Sequence, residues 1–165
     1  MLFVTVVISI IQQLYYYPKL PYKVAIHFNA NGIPDNFSDK LFSALLQIGI
    51  IVFMTIVIFI ADYFVKHGSD DFINIPNRKY WLAPERRKRT IDLLSTFVYW
   101  LGILTNAFLL LASQLLIYVN LKPTVSIGHN FWEYLTVYLL AIFISIWVFF
   151  RILNSKKKDK SNSES

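Results

Sequence analysis

Long apolar runs separated by short polar and charged stretches set the pattern of this chain. Four runs stand out, over residues 2–17, 41–65, 93–119 and 131–153. A helix rises about 1.5 Å per residue, so a hydrocarbon core of about 30 Å needs roughly 20 mostly apolar residues. The pattern predicts an all-α integral membrane protein with four transmembrane helices in a single domain over residues 1–153. The first run is the shortest. No Lys or Arg precedes it, and it closes on Gln12, Gln13, Leu14, Tyr15, Tyr16 and Tyr17. Aromatic residues gather at membrane–water interfaces. That run is therefore read as an uncleaved helix rather than a signal peptide, which needs basic residues first and a small-residue cleavage site.

Composition sharpens this reading. Hydrophobic residues make up 56% of the chain and charged residues 16%, so a water-soluble fold would expose large apolar patches. A bilayer acts instead as the apolar solvent. Lys and Arg collect on the cytoplasmic side of membrane helices. Between the second and third runs lie Lys66, Arg78, Lys79, Arg86, Arg87, Lys88 and Arg89, and beyond the fourth lie Arg151, Lys156, Lys157, Lys158 and Lys160. The other connections hold only Lys19, Lys23, Lys40 and Lys122. Both termini are therefore expected in the cytoplasm, with a short extracellular loop over 18–40. Residues 154–165 are polar, rich in Lys and Ser, and expected to form a disordered basic cytoplasmic tail. The absence of cysteine excludes disulfides, thiolate metal sites and thiol nucleophiles.

Polar residues recur at helical spacing inside the runs: Thr5, Ser9 and Gln12 or Gln13 in the first; Ser43, Gln47, Thr55 and Asp62 in the second; Ser95, Tyr99, Gly102, Asn106 and Ser113 in the third; Ala141 and Ser145 in the fourth. Residues three, four or seven apart share a helix face. These stripes are expected to face one another, either as ordinary helix packing or as a polar path, with packing the default. No ionisable residue lies at a helix centre, which argues against an ion pump. Asp62 is expected to pair with Lys66 one turn later.

Two loops carry further signals. In the outer loop Val24, Ile26 and Phe28 alternate with Ala25, His27 and Asn29, a short strand pattern. Asn31-Gly32 and Pro34-Asp35 are turn chemistry. Ser38 or Asp39 can cap the second helix. His27 is expected to hydrogen-bond the turn; a metal site with Asp35 or Asp39 is the weaker alternative. In the inner loop Pro84 followed by Glu85 suits a helix start, and Tyr80 and Trp81 are expected at headgroup level. Arg86, Arg87, Lys88 and Arg89 form a topogenic signal that also offers a surface to anionic lipid or a cytoplasmic protein partner. Four basic residues pressed against a membrane do not suggest nucleic acid.

These loops resemble a known family. Tyr17-Pro18-x-Leu20-Pro21, then Val24-Ala25-x-His27-Phe28-Asn29-x-x-Gly32-x-Pro34-Asp35 and Lys40, is similar to the N-terminal domain of uncharacterised function in SdpI-like bacterial membrane proteins. Asn77-x-x-Tyr80-Trp81-Leu82-Ala83-Pro84-Glu85-Arg86 is similar to a second block in a shorter subgroup. The resemblance implies a bacterial plasma-membrane protein. It also implies toxin immunity or envelope sensing, because the family's immunity member protects against a membrane-active peptide toxin and holds a repressor at the membrane. The C-terminal SdpI region, with its additional helices, is not seen here. The expected protein is non-enzymatic and has no cofactor. His27, Phe28, Asn29, Gly32, Pro34, Asp35 and Lys40 would meet a peptide toxin or envelope ligand. Asn77, Tyr80, Trp81, Pro84, Glu85, Arg86 and Arg87 would face the cytoplasm. A small transporter or an accessory subunit of a membrane complex is the rival class. No nucleophile with a base, paired carboxylates or phosphate-binding loop supports an enzyme.

Overall fold

The computed structural model describes residues 2–122 and 127–155. Its elements are α1 (Leu2–Tyr16), β1 (Lys23–Phe28), β2 (Pro34–Asp39), α2 (Lys40–His67), α3 (Arg78–Trp81), α4 (Pro84–Leu121) and α5 (Gly128–Ser155), with single 3₁₀ turns at Tyr17–Lys19 and Asp70–Phe72. Three helices are long and apolar enough to cross a membrane, namely α2, α4 and the Phe131–Asn154 stretch of α5. The chain is thus a multi-pass membrane protein by length and composition. α1, with 15 residues, covers about 22 Å at the helical rise.

α4 is the axis. α1 and α2 pack against it and against each other, and α5 packs along it as well. The stripes expected from the sequence explain the first contact. Thr5, Ser9 and Gln13 of α1, Thr55 of α2, and Asn106 and Ser113 of α4 are buried or bonded along one seam, while Asp62 of α2 meets Ser95 of α4 in a separate cluster. Gly102 brings α4 onto α2 so closely that a Cβ there would lie 2.8 Å from Ile58 Cγ1. Most large apolar side chains of α1, α2 and α5 point outward, as a lipid-facing surface requires.

The helix limits follow local chemistry. Asp39 caps α2 by accepting from Phe42 N at 2.8 Å, satisfying one of the orphan N–H groups of the first turn. α4 starts at Pro84, as the Pro-Glu pair predicts, and carries its basic first turns well past the apolar limits of 93–119. α5 extends through Asn154 and Ser155, which corrects the expected start of the tail. The rest of that tail, including Lys156, Lys157, Lys158 and Lys160, lies outside the described residues.

The all-α expectation also needs correcting. β1 and β2 pair antiparallel as a two-stranded sheet, so Pro34 and Asp35 open a strand instead of closing a turn. The reason is backbone accounting: a segment packed against the end of a helix bundle must pair its N–H and C=O groups, and a hairpin pairs them locally. Irregular register between Ala25, His27 and Phe28 bends the ribbon.

Candidate functional site: a hairpin over a cleft

The outer-loop motif builds the hairpin and fastens it to the bundle. Asn29 organises the turn: its Oδ1 accepts from Asn31 N at 3.0 Å and Ile33 N at 3.1 Å, while Gly32 N donates to Asn29 O at 2.8 Å. Gly32 has φ 75°, a left-handed conformation that glycine adopts without strain. His27 Nδ1 meets Asp35 Oδ1 at 2.5 Å across the strands, an exposed contact rather than a bond to the turn. Lys40 Nζ donates to Tyr17 O at 3.3 Å and Leu20 O at 3.4 Å, tying the entry of α2 to the exit of α1. Leu20 and Val24 pack on Ile117 of α4.

One anchor was not singled out from the sequence. Asn120 near the end of α4 accepts from Ala25 N at 2.7 Å and donates through Nδ2 to Ala25 O at 3.0 Å. Its amide therefore acts as one residue of a third strand against β1. An Asn at a helix end beside a loop is too common a pattern to reveal this.

Beneath the hairpin lies a cavity of about 590 Å³, within the usual size range of small-ligand pockets. β1 and the turn supply Ile26, His27, Phe28, Asn29 and Gly32 to its roof. Ile50 and Ile51 of α2, Leu109, Ala112 and Leu116 of α4, and Phe131 and Trp132 of α5 form its walls. Gln47 and Ser113 add polar groups that are already bonded to each other and to Gln13. The walls are thus mainly apolar, and the Gln47 and Ser113 side chains among them are already hydrogen-bonded. His27 and Phe28 therefore line a ligand-sized space. Pro34, Asp35 and Lys40 shape the hairpin from behind.

At the opposite end, the second motif forms a clasp on α5. Trp81 is buried against α5. Its indole Nε1 donates to Leu153 O at 3.0 Å, and Asn77 Nδ2 donates to the same carbonyl at 3.4 Å. Carbonyls in the last helical turn have no partner within the helix, so these two side chains cap α5. Asn77 takes φ 54° to do so, a left-handed conformation that Asn tolerates better than most residues. Trp81 also packs with Phe149 and Leu153, and Thr90 Oγ1 donates to Trp81 O at 2.8 Å. Tyr80 is half-buried under the Arg86 guanidinium, 4.3 Å from its ring centre. Pro84 occupies the first turn of α4 and Glu85 lies exposed beside it.

The basic run is not uniformly available. Arg87 makes a paired contact with the Asp70 carboxylate, Nε to Oδ2 at 3.0 Å and Nη2 to Oδ1 at 2.9 Å. Arg78 donates to Asp71 at 2.7 Å, and that hydrogen bond holds the Asp71 carboxyl below the ordinary carboxylate range. Lys79, Lys88 and Arg89 remain exposed. Asp62 pairs with Lys66 at 2.8 Å, as expected, and also accepts from Ser95 and Tyr99 at 2.5 and 2.9 Å.

Among the described residues no group of three His, Asp or Glu side chains could hold a metal ion; His27 and Asp35 are only a pair.

A family model for a domain of unknown function (DUF1648) matches residues 4–52, a stretch holding most of α1, the whole hairpin and the start of α2. That domain is found in SdpI-like proteins. The α3 clasp lies outside the match. No curated protein and no solved structure matches the chain.

Proposed function

We propose that this chain is a non-enzymatic protein of the bacterial plasma membrane, of the SdpI-like kind, whose hairpin and cleft recognise a peptide toxin or an envelope ligand. The observation that carries this reading is the apolar cavity roofed by the motif residues His27, Phe28 and Asn29. A motif needed only for folding has no reason to cover a ligand-sized space.

In this reading four helices cross the bilayer, with both termini cytoplasmic and the hairpin outside. α1 crosses despite its length by local thinning of the bilayer. Lys19 reaches back over the Tyr15 ring, 3.3 Å from its centre, as a cation does when it seeks the headgroup level. The basic side chains around α3 then face the cytoplasm, as the distribution of positive charge favours. Exposed Lys79, Lys88 and Arg89 would offer a surface to a cytoplasmic protein partner.

The test is membrane depolarisation in cells that express or lack the protein, challenged with membrane-active peptide toxins. Expression is expected to protect. Ala112→Trp, which fills the cleft from its wall, is expected to abolish protection. His27→Ala is expected to weaken protection with little loss of stability, because the His27–Asp35 pair is exposed and such pairs contribute about 0–1 kcal/mol. No protection by a protein confirmed in the membrane would overturn the toxin reading. A small transporter or accessory subunit would then stand, a class favoured by the polar seam between α1, α2 and α4.

A further inference from the structure

Among the described residues the seam buries several polar side-chain atoms that have no hydrogen-bond partner in the protein. Asn106 is fully buried at mid-helix. Its Nδ2 donates to Thr5 Oγ1 at 3.0 Å and Thr55 Oγ1 at 2.9 Å, which uses both amide hydrogens. Gln13, 2% exposed, likewise spends both on Gln47 Oε1 and Ser113 Oγ, each at 3.1 Å. Among the described residues, Asn106 Oδ1, Ser9 Oγ and Gln13 Oε1 remain buried without a hydrogen-bond partner. Turning either amide over would exchange an orphaned acceptor for an orphaned donor and leave the same need. Buried polar atoms in proteins are almost always hydrogen-bonded, to ordered water if not to protein. In a bilayer no bulk solvent relieves them.

The positions of the orphans are regular. Thr5, Ser9 and Gln13 are successive turns of one face of α1. Asn106 is bonded to Thr5 at one end, and Ser113 to Gln13 at the other. Each step along α1 is about 6 Å, the span of two hydrogen bonds of about 2.8 Å through one water oxygen. Gln47 and Ser113, at the Gln13 end, line the cleft under the hairpin. Beyond Asn106 the way is apolar, because Ile58 of α2 lies against Gly102 of α4 and separates Asn106 from Asp62, Ser95 and Tyr99.

We propose that the seam between α1, α2 and α4 binds a file of water molecules, entered from the cleft past Gln47 and Ser113, bridging Gln13, Ser9 and Asn106, and closed at Ile58. The cleft's ligand plays no part in this inference, which stands or falls independently of toxin recognition.

The experiment is site-resolved, water-edited solid-state NMR on the full chain in liposomes, with the Asn, Gln and Trp side-chain nitrogens labelled. Magnetisation from water is expected to reach the Asn106 and Gln13 amides at rates close to that of the exposed Asn29 amide. The rate should be several-fold faster than at the indole of Trp100, which bonds Ser145 between α4 and α5 at 3.0 Å. Ser9→Ala removes the middle bridge and is expected to slow transfer to Asn106 several-fold while sparing Gln13. Transfer to wild-type Asn106 as slow as to the Trp100 indole would overturn the proposal, and this comparison needs no variant to fold. Undiminished transfer to Asn106 in a folded Ser9→Ala protein would overturn it as well, by removing the file.

Discussion

Trp81→Ala is expected to release the α3 end of α5 and cost about 3–5 kcal/mol, the range for truncating a buried aromatic. Trp81 is 6% exposed. The change deletes packing against Phe149 and Leu153 and removes the indole N–H from the Leu153 carbonyl. Asn77 remains, but at 3.4 Å it is the weaker donor. Trp81→Phe separates the two contributions, since it keeps much of the ring packing and loses the hydrogen bond. Its cost should be smaller, with about 1 kcal/mol from the bond itself. Reversible denaturation in mixed micelles measures both. Equal losses for Ala and Phe would show that the capping bond, rather than packing, carries the clasp.

Gly102→Leu should be the next most damaging change. The added Cβ would sit 2.8 Å from Ile58 Cγ1 and 3.0 Å from Cγ2. Ile58 is β-branched and has few helical rotamers to retreat into, so α2 and α4 must separate. Overpacking of this kind costs about 1–3 kcal/mol, and close helix approach in membranes depends on small residues. Adding Ile58→Ala should recover most of the loss. Gly49 is the internal control: nothing lies within 4 Å of a Cβ built there, so Gly49→Ala should be neutral or mildly stabilising. The denaturation midpoint of each variant checks this. A Gly102→Leu protein as stable as the parent would mean that the α2–α4 contact is looser than described.

The residues that were legible in the sequence are those governed by short-range periodicity. The polar stripe of Thr5, Ser9 and Gln13 points into the seam because four-residue spacing fixes a helix face. Asp62 finds Lys66, Asp39 caps α2 and Pro84 starts α4 for equally local reasons. The misses all involve partners distant in sequence. β2 is nearly devoid of apolar residues, so no alternation marks it, and only pairing with β1 makes it a strand. The clasp made by Trp81 was not visible, because its partner, the Leu153 carbonyl, is a backbone atom that no side-chain pattern announces. Arg87 resembled part of a free basic run until the turn at Asp70–Phe72 brought Asp70 against it. The hairpin motif was visible as a motif, but the cleft beneath it needed α2, α4 and α5 together.

The proposed recognition role requires the hairpin and its cleft to open outside the cell while the basic α3 end faces in. The chain has no cysteine, so single substitutions report cleanly. Asn31→Cys in the hairpin turn and Lys88→Cys in the first turns of α4 would be expressed separately and exposed to a membrane-impermeant thiol reagent in intact cells. Labelling of Asn31→Cys at once, and of Lys88→Cys only after permeabilisation, is the expected result. The reverse order would place the hairpin in the cytoplasm and contradict an outward-facing recognition site.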